Sequence, residues 1–370
     1  MKMLLSIVNG VDAAFWKGKR IFLTGHTGFK GAWLSIWLAS MGAKVTGYAL
    51  RPTTTPNLYG VLDVAGSIER SHIGDILEID QLRKAISDAS PEIVLHMAAQ
   101  PLVLYSYENP VETYATNVMG TVNLLECIRG LSSVRAVVVV TTDKCYENNE
   151  WEWGYREVDA LGGHDPYSNS KGCAELVTAA YRESFFSPSN FNEHRTAIAT
   201  ARAGNVIGGG DWSADRLIPD AFRAFEANTA LLIRNPMAIR PWQHVLEPLS
   251  GYLMLAQALF LNGKIFNGGW NFGPRNEDAR SVEEVINLLI DNWGSDSKWI
   301  QEKNHQPHEA RSLRLDCSKA RQYLGWVPKW SLEKAIKETA DWQRALIANQ
   351  NMKNYSLDQI NQYSSLELGY

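Results

Sequence analysis

Arg20-Ile21-Phe22-Leu23-Thr24-Gly25-His26-Thr27-Gly28-Phe29-Lys30-Gly31 decides the fold. Its first five residues are a short, mostly apolar run of the kind that forms a buried parallel strand. A helical pattern follows from Phe29 to about Met41, with Trp33, Leu34, Trp37 and Leu38 on one side and Gly42 as a stop. Lys44–Leu50 then reads as a second strand, which completes a strand–turn–helix–strand unit. The glycines let the backbone turn sharply and approach a pyrophosphate, and the helix start supplies free N–H groups and a positive dipole. The spacing is GxxGxxG, and its place between strand and helix predicts a dinucleotide site built from Gly25, His26, Thr27, Gly28, Phe29, Lys30 and Gly31. His26 and Lys30 are unusual polar fillers there; contact with phosphate and simple solvation are both compatible with the sequence.

The alternation continues outward. Ser67–Gly74, Glu92–Met97, Ala136–Val140 and Thr196–Arg202 read as strands, and Asp80–Ala89, Val111–Leu131 and Tyr167–Phe186 as helices. Strands alternating with helices predict an α/β fold with a doubly wound parallel sheet. After about Asn205, glycines, prolines and aromatics cluster, which predicts a smaller, irregular α+β substrate-binding domain. The expected division gives residues 15–205 to the dinucleotide domain, with a return segment near 245–275, and 206–244 plus 276–348 to the substrate domain. Residues 1–8 read as a short N-terminal extension, and the polar tail after Ala348 as poorly ordered.

Composition excludes several classes. With 370 residues, 45% of them apolar and 21% charged, the chain is an ordinary globular protein. A net charge of -4 gives no electrostatic support for nucleic-acid binding. Cys127, Cys145, Cys173 and Cys317 are scattered, so neither a disulfide framework nor a zinc site is expected, and a reducing cytoplasm fits. His305 and His308 stand three apart without a carboxylate partner, so no metal is expected. No stretch approaches the ~20 apolar residues that span a membrane.

Two features carry chemistry. Tyr167 and Lys171, in Pro166-Tyr167-Ser168-Asn169-Ser170-Lys171, lie four apart and so on one face of a helix. An ammonium beside a phenol favours phenolate, which suits Tyr167 to take a hydroxyl proton as hydride leaves. Thr141-Thr142-Asp143-Lys144-Cys145-Tyr146 directly follows the strand at 136–140, and the carboxyl ends of parallel strands are where such sheets place ligands. The end of the second strand offers Arg51 and no carboxylate, so NAD and NADP both stay open: Arg51 would meet a 2′-phosphate or cover an adenine.

These motifs together resemble the extended short-chain dehydrogenases that act on nucleotide-activated sugars. Thr-Asp-Lys-Cys-Tyr at 142–146 and Arg-Pro-Trp-Gln-His at 240–244 resemble the CDP-glucose branch of the 4,6-dehydratases, and the likeness runs from about Phe15 to about Ala345. The resemblance implies that Asp75 and Ile76 contact adenine, that Ala98 lies in a loop beside the cofactor, and that Thr142 bonds the reacting oxygen. It implies Asp143 as the acid that protonates the departing C6 hydroxyl. Thymidine-linked members have Asp-Glu where this chain has Asp143-Lys144, so the C5 base is open: Lys144 fills it if its pKa is depressed, or acts electrostatically on the enolate.

The resemblance further implies NAD as cofactor and CDP-glucose as substrate, held by Asn205, Trp212, Arg216, Arg240, His244 and His308. It implies a homodimer or homotetramer built through the helices near 111–131 and 167–186, and a role in bacterial surface-polysaccharide (O-antigen) synthesis. A 4-epimerase of the same fold lacks the acidic pair, and a non-catalytic NAD(P)-sensing regulator loses the Tyr/Lys pair; this chain has both.

Overall fold

In the computed structural model, which describes residues 10–294, 297–302 and 312–366, seven parallel strands form one sheet. They are β1 (Arg20–Thr24), β2 (Lys44–Ala49), β3 (Arg70–Ile73), β4 (Ile93–His96), β5 (Ala136–Val140), β6 (Ala197–Ala203) and β7 (Gly268–Phe272). The order across the sheet is β7-β6-β5-β4-β1-β2-β3. Successive strands run outward in opposite directions from β1 and β4, so the crevice between the carboxyl ends of that pair is a topological switch point.

The sheet is buried on both faces, which is why its strands read as nearly continuous apolar runs. Alternate residues serve opposite cores. Ile21, Leu23, Ala136, Val138 and Val140 pack into one cluster with Trp33, Leu34 and Trp37, while Phe22, Val137 and Val139 pack into another with Leu82, Ile86, Leu124 and Leu125. A third cluster joins Ile218, Phe222, Ile233 and Trp242 to Val285, Leu289 and Ile336, outside the sheet.

The helices that matter for the site are α1 (Phe29–Ser40), α2 (Pro166–Ser184), α3 (Leu246–Asn262), α4 (Leu332–Ile347) and α5 (Met352–Ser365). The helix expected over 111–131 is interrupted: Pro110–Tyr114 and Gly120–Ile128 are α-helical, and Ala115–Met119 makes a π turn between them. Asn117 in that turn accepts from the Gln100 amide at 2.9 Å and donates to Ser170 Oγ at 2.8 Å, so the widened turn locks the 97–102 loop to α2. The third strand is shorter than expected, because Val64–Ser67 closes a helical turn first.

The tail was expected to be poorly ordered, and the structure overturns this. Residues Met352–Ser365 form α5, with Met352, Ser356, Gln359, Ile360 and Tyr363 buried. Its polar buried face has built-in partners: Ser356 accepts from Trp342 Nε1 at 2.8 Å, and Gln359 donates to Glu338 at 2.7 Å. Tyr363 packs edge-on to Trp37 and donates to Glu247 at 2.6 Å. Glu247 is itself buried and also accepts from the Lys329 and Trp330 amides at 2.9 and 2.7 Å. A helix whose inner face mixes Ser, Gln and Tyr with two aliphatics gives no clean hydrophobic period, so composition misleads there. The expected N-terminal extension at 1–8 lies outside the described residues.

Candidate active site

A cleft of about 1330 Å³ runs along the carboxyl ends of the strands and is lined from both the sheet and the irregular half. At its floor lies the glycine turn. Gly25 has φ +78° and sits so close to the next strand's loop that a Cβ would be 2.8 Å from the Ala98 amide nitrogen. A Cβ on Gly31 would lie 2.0 Å from the Gly25 carbonyl, so only glycine lets α1 seat on the turn. Gly28, the N-cap of α1, makes no side-chain capping bond, which leaves the first-turn amides to a ligand. Thr27, Phe29, Arg51, Asp75, Ile76 and Ala98 line the same cleft. This surface fits a dinucleotide: bare amides for the pyrophosphate and an opening past Asp75 and Ile76.

His26 does neither of the things expected of it. It is fully buried behind the turn, with Nε2 2.8 Å from Ser71 Oγ, and Gly47 makes room for its ring. Burial pulls its pKa down to about 4, so it is neutral packing material and not a phosphate ligand. Lys30 lines the cleft, its Nζ 5.9 Å from the centre of the Tyr252 ring. Burial and the nearby Arg216 charge pull it down to about 7.

The all-apolar β5 delivers Thr142, Asp143 and Lys144 to the cleft wall, where Asp143–Cys145 form a single 3-10 turn capped by Thr142. The Thr142 hydroxyl donates to Asp143 Oδ1 at 3.0 Å. Burial raises the Asp143 pKa from its ordinary value, against the pull of Lys144, Thr142, Arg240 and Lys30. A shift in this direction favours the protonated carboxyl, the form a general acid needs.

Asp165 caps α2 through the Ser168 amide and Pro166 occupies its first turn, so the helix begins where Tyr167 is presented to the cleft. Burial pushes the Tyr167 phenol up to about 12, with Thr142 and Arg216 pulling the other way. The sequence expectation gave that pull to Lys171. The Lys171 amine instead donates to the Val140 carbonyl at 3.2 Å, and it is held at about 8 by burial, opposed by Glu175.

Asn205, Trp212, Arg216 and Arg240 all line the cleft. Arg216 is oriented by Asp211 at 3.0 Å, and Arg240 is almost fully buried on a strand spanning Ile239–Pro241. His244 is a correction. It lies in the core between Trp33 and Trp330, with ring centres 6.2 and 4.7 Å away, and burial drives its pKa down to about 3. It does not line the cleft; the sequence block Arg-Pro-Trp-Gln-His runs from the site into the interior. His308 lies outside the described residues.

Sequence reasoning passed over a buried cluster behind the catalytic turn. The Glu175 carboxylate, four residues after Lys171 on α2, is gripped by Arg202 of β6 through Nε at 2.9 Å and Nη2 at 2.7 Å. A lone arginine inside the otherwise small, apolar strand Ala197–Ala203 was the signal available for it. Removing one partner of such a pair costs about 3–5 kcal/mol.

Among the described residues no cluster of potential metal ligands occurs and no helix is long and apolar enough to cross a membrane; all four cysteines are free.

The parallel sheet, the glycine turn and the acid-bearing loop define a nucleotide-sugar-modifying class. The chain belongs to the family described as GDP-mannose 4,6 dehydratase, whose model matches residues 22–339. A CDP-glucose 4,6-dehydratase from Salmonella typhimurium is 55% identical over 96% of this chain and 99% of its own length. A dTDP-glucose 4,6-dehydratase from Xanthomonas campestris is 25% identical over 86% of this chain and 92% of its own. Among solved structures, a dTDP-glucose 4,6-dehydratase from Streptomyces venezuelae with NAD bound has a TM-score of 0.76 at 22% identity, covering 90% of this chain and 98% of that one. A UDP-glucose 4-epimerase from Thermotoga maritima reaches 0.75 at 20% identity, covering 88% and 99%.

Proposed function

We propose that the protein is a CDP-glucose 4,6-dehydratase that works with NAD. The observation that carries the reading is the buried Asp143 carboxyl on the cleft wall, fixed by Thr142 at 3.0 Å and shifted by burial toward its protonated form. A 4-epimerase has no use for an acid there. The 55% identity over nearly the whole chain supports CDP-glucose as the sugar nucleotide.

The Gly25–Gly31 turn holds the pyrophosphate of NAD, and Asp75, Ile76, Ala98 and Lys171 flank the rest of it. NAD supplies a hydride acceptor for C4 of glucose and the same hydride for C6. Tyr167, as phenolate, takes the C4 hydroxyl proton, with Thr142 bonding the reacting oxygen. The resulting C4 ketone acidifies C5–H. As the C5 proton leaves, Asp143 gives its proton to the C6 hydroxyl, the C6–O bond breaks and water departs. A proton returns to C5 as C6 is reduced, so the product is a 4-keto-6-deoxy sugar one water lighter. The C5 proton goes to a base on the cleft wall that returns it when C6 is reduced, and Lys144, next on the turn, is the candidate for it. Arg216 and Arg240 grip the diphosphate, with Asn205 and Trp212 nearby.

The helices that frame the site carry an unusual amount of exposed apolar surface: Val111 is 82% exposed, Leu176 60% and Met119 50%. This favours a homodimer built on those helices.

The test is mass spectrometry of the protein with NAD and, separately, CDP-, UDP- and dTDP-glucose. Loss of one water from CDP-glucose without net reduction of NAD supports the reading. An unchanged mass with a new hexose epimer replaces it with an epimerase.

A further inference from the structure

We propose that Glu175 and Arg202 are positioning residues that clamp the catalytic turn at both ends, and that water elimination depends on the clamp; this rests on the dehydratase reading above. Neither residue lines the cleft. Both are less than 5% exposed. Their hydrogen bonds nevertheless reach the residues that flank Thr142–Cys145.

At the start of the turn, Thr141 Oγ1 donates to Glu175 Oε1 at 2.5 Å. At its end, Arg202 Nη1 donates to Tyr146 Oη at 2.6 Å, and that hydroxyl donates on to Asn271 Oδ1 at 2.8 Å. Thr200 donates to Glu175 Oε2 at 2.6 Å, so each carboxylate oxygen accepts one hydroxyl and one guanidinium bond. Arg202 Nη1 also reaches the Glu157 carbonyl at 3.2 Å, and the guanidinium lies 4.9 Å from the Tyr146 ring centre. The turn that carries Asp143 is thus suspended between two arms of one ion pair.

Stability alone does not call for this arrangement. A buried ion pair is often replaceable by apolar side chains of similar volume with no loss of stability. Apolar side chains offer no directional bonds to Thr141 and Tyr146, and a misplacement of about 1 Å at a reacting group costs on the order of 10²-fold in rate. The clamp therefore acts on the step that needs Asp143 most closely placed, the transfer of its proton to the C6 oxygen.

Tyr146→Phe deletes one arm's hydroxyl and keeps the ring stacked on Tyr155 at 5.2 Å. Thr141→Val deletes the other arm in a nearly equal volume. Each variant is compared with wild type for kcat and KM on CDP-glucose, and for absorbance of reduced nicotinamide at 340 nm in a single turnover with bound NAD. The expected result for each is KM within about twofold, kcat lower by on the order of tenfold or more, and transient reduced nicotinamide, since oxidation at C4 outruns elimination. The double variant is expected to be less than multiplicative, because both arms hold one turn. Wild-type kcat in both variants overturns the proposal. So does a lower kcat without reduced nicotinamide, which marks a general loss of structure. If wild type itself releases no water from CDP-glucose, the underlying reading falls and the proposal with it.

Discussion

The Thr142 hydroxyl donates to Asp143 Oδ1 at 3.0 Å, while Oδ2 of the same carboxyl is buried with no hydrogen-bond partner. The two oxygens are therefore inequivalent: one is fixed by its neighbour, and the other is the one placed to deliver a proton in the proposed reaction. Asp143→Asn keeps the fixed side and cannot deliver a proton. It is expected to oxidise C4 normally, to accumulate reduced nicotinamide, and to lose 10²- to 10⁴-fold in water release. Unimpaired water release from that variant would remove Asp143 from the acid role.

Tyr167→Phe is expected to fail one step earlier. Its phenol lines the cleft and is the group assigned to take the C4 hydroxyl proton. Binding of CDP-glucose should persist, with no reduced nicotinamide formed even in a single turnover. Normal reduced nicotinamide in this variant would show that another group is the base.

Lys144→Arg separates two roles. Arginine keeps the positive charge and does not act as a base at working pH. Activity within about tenfold of wild type assigns Lys144 to electrostatic support of the C5 enolate. Loss of solvent-hydrogen exchange at C5, with C4 oxidation intact, assigns it as the proton acceptor.

The Glu247 carboxyl gives a pH signature. Burial raises it from 4.5 to about 7 in the native chain. The folded protein therefore keeps this proton to higher pH than the unfolded one. The stability contributed is complete below pH 4.5 and is lost as the pH rises through about 7. The urea midpoint should fall across that interval, and Glu247→Gln should flatten the fall. An unchanged slope in the variant would show that other groups set it.

Much of this was legible in the chain, for a physical reason. Strands buried on both faces must be apolar throughout, so β1 and β5 declare themselves to the residue, and the turn at Gly25–Gly31 shows because no other side chain fits two of its three glycines. Tyr167 and Lys171 show through helix spacing. What stayed hidden depends on partners distant in sequence. His26 and His244 read as polar and available, but Ser71 and Gly47 enclose the first and Trp33 and Trp330 the second. The Glu175–Arg202 pair joins α2 to β6 across 27 residues, and neither residue alone announces the other. Helix α5 was missed because its inner face is half polar, each polar group matched by a partner from α4 or, for Tyr363, from Glu247 of α3.

That last helix also bears on where the protein can be cut. The family match stops at residue 339, inside α4, and a chain trimmed on that guide would lose Tyr363 from Trp37 and Glu247. Trp37 belongs to the helix whose first turn faces the cofactor cleft. Shortening the tail would thus strip the underside of the helix whose other end lines the cleft, and weakened NAD retention at a distance from the deletion is the first loss expected.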